Sequence, residues 1–268
     1  MSPSQKLNSR QPIVLLVPAS AGLRGSFRPV QLSASRYETL LFDMQRLRGR
    51  IYLREGAIQT AQLTMDGRHE LEVDESSWNV LLIRSEDRVV GCARYLEHEN
   101  TVKFHELTAA QSALARSKEW GRLFQEAVEK EIARARQRQV RFVELGGWAI
   151  ADELRGTTQA LRIAMATYGL GRLLGGCIGI TTATRRNQSA SVLRRFGGAS
   201  LTCGGVELPA YFDPVYNCEM EVLLFDTESS NPKFEQLLET RESEVAGVCA
   251  ISRNPEHAAW SAGPARVA

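Results

Sequence analysis

The chain has 268 residues, 43% hydrophobic and 24% charged, with a formal net charge of +2. These proportions suit a chain with a packed core and exclude collagen-like, coiled-coil and wholly disordered classes. No apolar run approaches the roughly 18 residues that span a bilayer, and residues 13–17 are shorter than a secretory core of about 7–15, so a cytoplasmic location is expected. The five cysteines (92, 177, 203, 218, 249) contain no C-x-x-C pair, and the four histidines no H-x-x-x-H pair. Buried reduced thiols and no metal site are expected. Residues 116–195 hold fifteen basic against seven acidic side chains, and residues 196–268 four against eleven. The basic stretch lacks aromatic interleaving and any recognisable nucleic-acid module, so it reads as a docking face for an acidic partner rather than for nucleic acid.

Residues 1–35 show no periodicity and read as a flexible arm. Tyr37, Leu40, Leu41, Met44, Leu47 and Ile51 fall at helical spacing. Residues 55–78 read as a polar loop turned at Asp66-Gly67. Residues 80–84 and 89–96 read as a hairpin joined at 85–88. An amphipathic helix is expected over about 119–137, with Leu123, Val128 and Ile132 on its apolar side. Residues 140–150 form a strand interrupted by Gly146-Gly147, the mark of a bulge or a close backbone approach. A helix over 154–174, a buried strand over 176–184, and a short helix over 187–196 capped by Asn187 or a nearby serine follow. Strands near 199–203 and 219–225, a helix over 231–245, and a flexible tail from Ser252 complete the chain. The order predicts an α/β fold, a single mixed and mainly antiparallel sheet flanked by helices on both faces. The arm (1–35) and a C-terminal helix with its tail (229–268) would flank a main domain over 36–228.

No P-loop and no G-x-S-x-G elbow is present. Gly169, Gly171 and Gly175 follow a helix rather than a strand, so they read as a helix end and not as a dinucleotide fingerprint. The chemistry sits instead in an ordered set of three segments. These are the strand Glu144-Leu-Gly-Gly-Trp-Ala-Ile150, the loop Arg155-Gly-Thr-Thr-Gln-Ala160, and Asn187-Gln-Ser-Ala190-x-x-Leu193-x-x-Phe196-Gly197. A strand feeding a loop that opens a helix offers free N–H groups and the positive end of the helix dipole, which suits phosphate. Gly156 lets the backbone approach closely, and Arg155 adds a full charge.

This set resembles the GCN5-related N-acyltransferase fold, with Arg155–Ala160 similar to its pyrophosphate loop. Thr158 stands where that loop has its middle glycine, and Arg194 where the family has a tyrosine. Over residues 40–150 the chain is similar to acyl-homoserine-lactone synthases. Arg48-x-x-x-Tyr52, Gly91-Cys-Ala-Arg94-Tyr-Leu and Glu144-Leu-Gly-Gly-Trp148 resemble their motifs, with Asp74 and Trp78 in the place of an acidic and aromatic loop. Ile58 stands at their early tryptophan, and Gly146-Gly147 replaces their Ser-Arg pair. That replacement favours the long-chain N-acyl amino acid synthases of the FeeM type. The resemblance implies an N-acyltransferase. It would move a fatty acyl group from an acyl thioester of phosphopantetheine, on acyl carrier protein or CoA, to the α-amine of an amino acid. A lactone synthase using S-adenosylmethionine, or a non-enzymatic lipid- or carrier-binding module, are the alternatives. Glu144 would be the base. Gly147, Trp148, Ala149 and Ile150 would meet the pantetheine, and Arg155, Gly156, Thr157, Thr158, Gln159 and Ala160 the phosphate. Arg94 would grip the acceptor's carboxylate or pair with Asp66 or Asp74, while Arg48, Tyr52, Asp74 and Trp78 shape the pockets. Arg162, Arg185, Arg186, Arg194 and Arg195 would dock acyl carrier protein, and a lipid product would bring peripheral membrane contact.

Overall fold

The computed structural model describes residues 11–22, 27, 30–84, 87–186 and 188–257. The first strands are β1 (Ile13–Leu16) and β2 (Val30–Leu32). Helix α1 (Ala34–Arg54) opens where the Ser33 hydroxyl accepts the Arg36 N–H at 3.3 Å. Its apolar stripe, Tyr37, Leu40, Leu41, Met44, Leu47 and Ile51, is buried as the spacing predicts. Next come β3 (Trp78–Ile83), β4 (Val89–His98), α2 (Gly121–Gln137) and β5 (Arg141–Ile150). They lead to α3 (Gln159–Leu173), β6 (Cys177–Thr184) and the short α4 (Ser189–Arg195). Four short strands follow, β7 (Ala199–Ser200), β8 (Thr202–Cys203), β9 (Val206–Glu207) and β10 (Tyr211–Asp213). The chain then forms β11 (Cys218–Asp226), α5 (Glu235–Ala246) and β12 (Cys249–Ser252). The expected turn residues Ser85 and Glu86, Asn187 and the tail beyond His257 lie outside the described residues.

One sheet runs β10-β11-β6-β5-β4-β3-β1-β12-β2, with β7 also on β11, while β8 and β9 pair separately. Most neighbours are antiparallel; β5–β6, β1–β12 and β12–β2 are parallel. Phe124, Val128 and Ile132 of α2 pack with Phe142, Ile178 and Ile180 on one face. Met165 and Tyr168 of α3 pack with Ala183, Leu223 and Leu145 on the other. A mixed sheet with helices on both faces is therefore the architecture.

Two expectations are corrected at the termini. Residues 13–16 are not a mobile arm but an inner strand between β3 and β12, and Leu15 and Leu16 are fully buried. Residues 229–257 are not an appendage to the domain, because β12 inserts between β1 and β2. Ser252 is itself buried, its hydroxyl 2.7 Å from His257 Nδ1, while His257 Nε2 lies 3.0 Å from the Ala21 carbonyl. The two ends of the described chain thus close the sheet together. Among the described residues no helix is long and apolar enough to cross a membrane. All five cysteines are free thiols.

Candidate active site

The feature that opens a site is a divergence of two parallel strands. β5 and β6 pair from Arg141↔Cys177 to Leu145↔Thr181 and no further. Beyond that point β5 stays with β4 as far as Ile150, and β6 stays with β11. The parting is helped by a bulge. Cys92 faces Ala149 and Arg94 faces Gly146, so Ala93 stands opposite two residues, Gly147 and Trp148. Gly147 takes φ +63°, a conformation that favours glycine. The Gly146-Gly147 interruption is thus a bulge that turns the end of β5 away from β6. Backbone groups on that edge of β5 are left without a strand partner.

Between the strands lies a cleft of about 910 Å³. Its walls include Glu144, Gly147, Trp148, Ala149 and Ile150 from β5, Arg94 from β4 and Tyr52 from α1. The Tyr52 hydroxyl donates to the Trp148 carbonyl at 3.4 Å. Burial, foremost, pushes the Tyr52 phenol far above its ordinary value, so it stays protonated.

Arg94 is 7% exposed, yet neither Nε nor Nη1 has a hydrogen-bond partner. The two carboxylates that act on it electrostatically, Asp74 and Glu144, are bonded elsewhere. Asp66, the other partner considered from sequence, is held by Arg46 and Arg68 at the surface. Burial, first, and the nearby Arg48 push the Arg94 pKa below its ordinary value. Arg94 is thus a buried guanidinium on a cleft wall without a bonded counterion, an arrangement that costs stability as it stands. The glycines opposite give it room: a Cβ on Gly146 would stand 3.3 Å from Arg94 Nη2, and one on Gly147 3.1 Å from Arg94 Cβ.

Glu144 is 3% exposed and its carboxylate accepts four hydrogen bonds. Oε1 takes the Thr108 hydroxyl at 2.6 Å and the Ala109 N–H at 2.8 Å. Oε2 takes the Thr108 N–H at 2.9 Å and lies 3.0 Å from His98 Nε2. Burial pushes this carboxyl up, but the bonds from His98, Thr108 and Ala109 outweigh it and hold the pKa below the usual range.

Three residues expected at the pockets lie behind the wall. Arg48 and Asp74 are both 0% exposed and form a bidentate pair at 2.8 and 2.6 Å. Gln45 and the Leu71 N–H also donate to Asp74. Trp78 is core, its ring 5.2 Å from that of Phe27. None of the three borders the cleft; their contacts are with the protein's own interior.

The phosphate-loop expectation divides. Arg155, Gly156 and Ala160 border the cleft, and Gly156 takes φ +71°. Thr157, Thr158 and Gln159 do not. The Thr157 hydroxyl donates to Leu154 O at 2.6 Å and accepts the Gln159 N–H at 3.3 Å. Arg155 is already paired with Glu55 and, at 3.2 Å, with Asp152. The docking arginines are also mostly engaged. Arg162 is half-buried against Glu244 and the Gln11 carbonyl. Arg185 and Arg194 pair with Glu219 and Glu221, and Arg186 donates to the Glu55 and Asn217 carbonyls. Arg195 is exposed.

Sequence reasoning missed Tyr211 and Tyr216, which border the cleft from β10 and the turn after it. Tyr216 lies 6.3 Å from Tyr52, ring to ring and edge-on, so the two meet at the cleft. The signal was Asp213-Pro214. The Asp213 carboxylate accepts the N–H groups of Val215 and Tyr216, a turn that aims Tyr216 inward.

His69 sits behind Tyr52, its ring 5.7 Å away and its Nδ1 unpartnered. Burial, then the charges of Arg48 and Arg94, lower its pKa from 6.5 to about 4. A folded pKa below the unfolded one means stability is full above pH 6.5 and falls as pH drops toward 4. Urea titrations should show a slope of up to about 1.4 kcal/mol per pH unit in that window. His69→Gln should flatten it; an unchanged slope would place the proton elsewhere.

No family model matches the sequence, and no curated protein matches it. Solved structures do. The CoA-dependent acyl-homoserine lactone synthase BjaI, bound to MTA, superposes with a TM-score of 0.56 at 16% identity, covering 90% of this chain and 93% of its own. TofI, in a ternary complex with an inhibitor and MTA, gives 0.52 at 11% identity, over 87% and 99%. The CoA-dependent synthase MesI gives 0.52 at 14%, over 89% and 98%. The chain has the acyl-homoserine lactone synthase fold. Within that fold, divergent β5 and β6 and the cleft between them are the elements on which this chain's chemistry-bearing residues converge.

Proposed function

We propose that the chain is an N-acyltransferase. It moves a fatty acyl group from a phosphopantetheine thioester, carried by acyl carrier protein, to the α-amine of an amino acid or a related small amine bearing a carboxylate. The observation that carries this reading is Arg94, a buried guanidinium without a counterion on the wall of a cleft between parting strands. A carboxylate seated there bidentately would supply both the missing charge and the missing acceptors. The pantetheine arm would lie along the unpaired edge of β5 from Gly147 to Ile150. The amine nitrogen attacks the thioester carbonyl, the tetrahedral intermediate collapses, and the thiol leaves with the proton the amine gives up. No covalent enzyme adduct is needed.

The choice of carrier protein over CoA is supported by the loop. Arg155 is already neutralised by Glu55 and Asp152, and Thr158 stands where a glycine would bring backbone to a pyrophosphate. Carrier-bound phosphopantetheine presents a single phosphate, whereas CoA has a pyrophosphate in its place and a 3′-phosphate besides.

The test is product analysis by mass spectrometry. Purified protein is incubated with acyl carrier proteins or acyl-CoAs of several chain lengths, with mixed amino acids or with S-adenosylmethionine. N-acyl amino acids support the reading. Acyl lactones made from S-adenosylmethionine would replace it with a lactone synthase. Intact thioester under every combination would leave a lipid- or carrier-binding module.

A further inference from the structure

We infer that Glu144 is a positioning residue: its carboxylate fastens the stretch from Thr108 to Ser112 against β5 as one wall of the cleft, and it is not the group that takes the amine's proton. The kinetic part of this rests on the acyltransferase reading; the structural part does not.

A carboxylate offers about four lone-pair sites, and here four donors are arranged on it, two to each oxygen. Three of them come from Thr108 and Ala109, and two of those are backbone N–H groups, which have no other role and cannot rotate away. A base must present a free lone pair within hydrogen-bond reach of the departing proton. Glu144 would first have to release part of the wall.

The wall has reason to need such a fastening. Residues 104–106 and 108–111 are single helical turns rather than a long helix. The Glu106, Leu107, Ala110 and Ser112 N–H groups all close onto carbonyls three residues back within the same stretch. Such bonds shape the turns without joining them to the sheet. Apolar burial of Phe104, Leu107 and Ala109 presses the stretch inward, but apolar contact does not set register. The bonds to Glu144 do. They act where Glu144↔Ile180 is the penultimate parallel pair before the strands part. Thr108, Ala109, Gln111 and Ser112 all border the cleft there, so fixing Thr108 and Ala109 fixes the width of the cleft at its vertex.

The experiment uses Glu144→Gln, Thr108→Val and the double variant. Either orientation of the glutamine amide leaves one backbone N–H, of Thr108 or of Ala109, without an acceptor. Thr108→Val removes only the hydroxyl and leaves the carboxylate in place. Each single variant should raise the KM for the acyl donor about tenfold, with turnover staying within about threefold of wild type. The acidic limb of the pH–rate profile should stay where it is, and the double variant should be little worse than the worse single one. Amide exchange at position 108 or 109 should quicken about tenfold in both single variants.

If Glu144→Gln instead slows turnover by about two orders of magnitude or more, with KM unmoved and the acidic limb gone, Glu144 is the base and the inference is overturned. Unchanged exchange at both Thr108 and Ala109 in Glu144→Gln would overturn the fastening itself. If the wild type forms no N-acyl product, the activity reading fails while the exchange measurement still decides the clamp. If Glu144→Gln does not fold, Thr108→Val gives both readouts.

Discussion

Replacing Arg94 by methionine is expected to make the protein more stable and nearly useless for its acceptor. The stem of the side chain is conserved in shape, while the group removed is a cation held out of water without a partner. Removing such a charge should raise unfolding free energy by about 1–3 kcal/mol, read as a higher Tm and a higher denaturant midpoint. The same change deletes a bidentate, charge-assisted contact. At about 1.5–3 kcal/mol this predicts a rise of one to two orders of magnitude in the acceptor's KM. The KM for the acyl donor should change little. Arg94→Lys should not rescue, because an ammonium cannot present two parallel N–H groups. Gly146→Ala, which puts a methyl 3.3 Å from Arg94 Nη2, should weaken the acceptor in the same direction but less. If Arg94→Met destabilises the fold, or a carboxylate-free amine is taken as readily as an amino acid by the wild type, the anion site does not exist. A gain of stability with a loss of function is the signature of strain kept for a ligand.

The legibility of this site in the sequence differs residue by residue. Helix α1 was plain because its apolar residues recur at a single period. The same period carried a warning about Arg48. It falls on the stripe of Leu41, Met44 and Ile51, so its burial was written in the spacing, although its chemistry drew attention to a ligand. Glu144 could be found as a cleft residue from its strand. Its function could not, because three of the four donors that saturate it come from Thr108 and Ala109, about 36 positions earlier in a stretch with no periodicity. The parting of β5 from β6 was foreshadowed by Gly146-Gly147, since two glycines weaken a strand and one of them adopts positive φ. The ends were illegible for a topological reason. β1 is four apolar residues, too short to separate strand from helix by period. Its partner β12 lies some 235 residues away, paired as Val14↔Cys249, and no local signal encodes a contact of that range. Tyr216 was hidden for the opposite reason: an Asp-Pro turn was present but its direction depends on the strand before it.

The second large effect is expected at Asp74. Asp74→Asn keeps the shape but leaves the Arg48 cation fully enclosed without a counter-charge, and should lose about 3–5 kcal/mol of stability. Arg48→Met should cost a similar amount by isolating the carboxylate. The double replacement Arg48→Met with Asp74→Leu should recover most of the loss, since two charges no longer need to be taken from water. The pH dependence has a definite sign. Burial pushes the Asp74 carboxyl up, but Arg48, Gln45 and the Leu71 N–H overcome it, so the folded pKa lies below the ordinary 3.8. That contribution is full above pH 3.8 and is lost as pH falls through the folded pKa, below the His69 window. In Asp74→Asn this acid limb should flatten while the slope between pH 6.5 and about 4 remains. The functional consequence passes through the loop the pair holds. Arg48 also donates to the His69 carbonyl, and Leu71, Glu72 and Val73, which follow, border the cleft. Loosening that loop should therefore raise KM for the acceptor in proportion to the stability lost, and the double replacement should restore both together. If instead the double replacement regains stability while acceptor KM stays high, Arg48 or Asp74 touches the ligand directly, and their placement behind the wall is wrong.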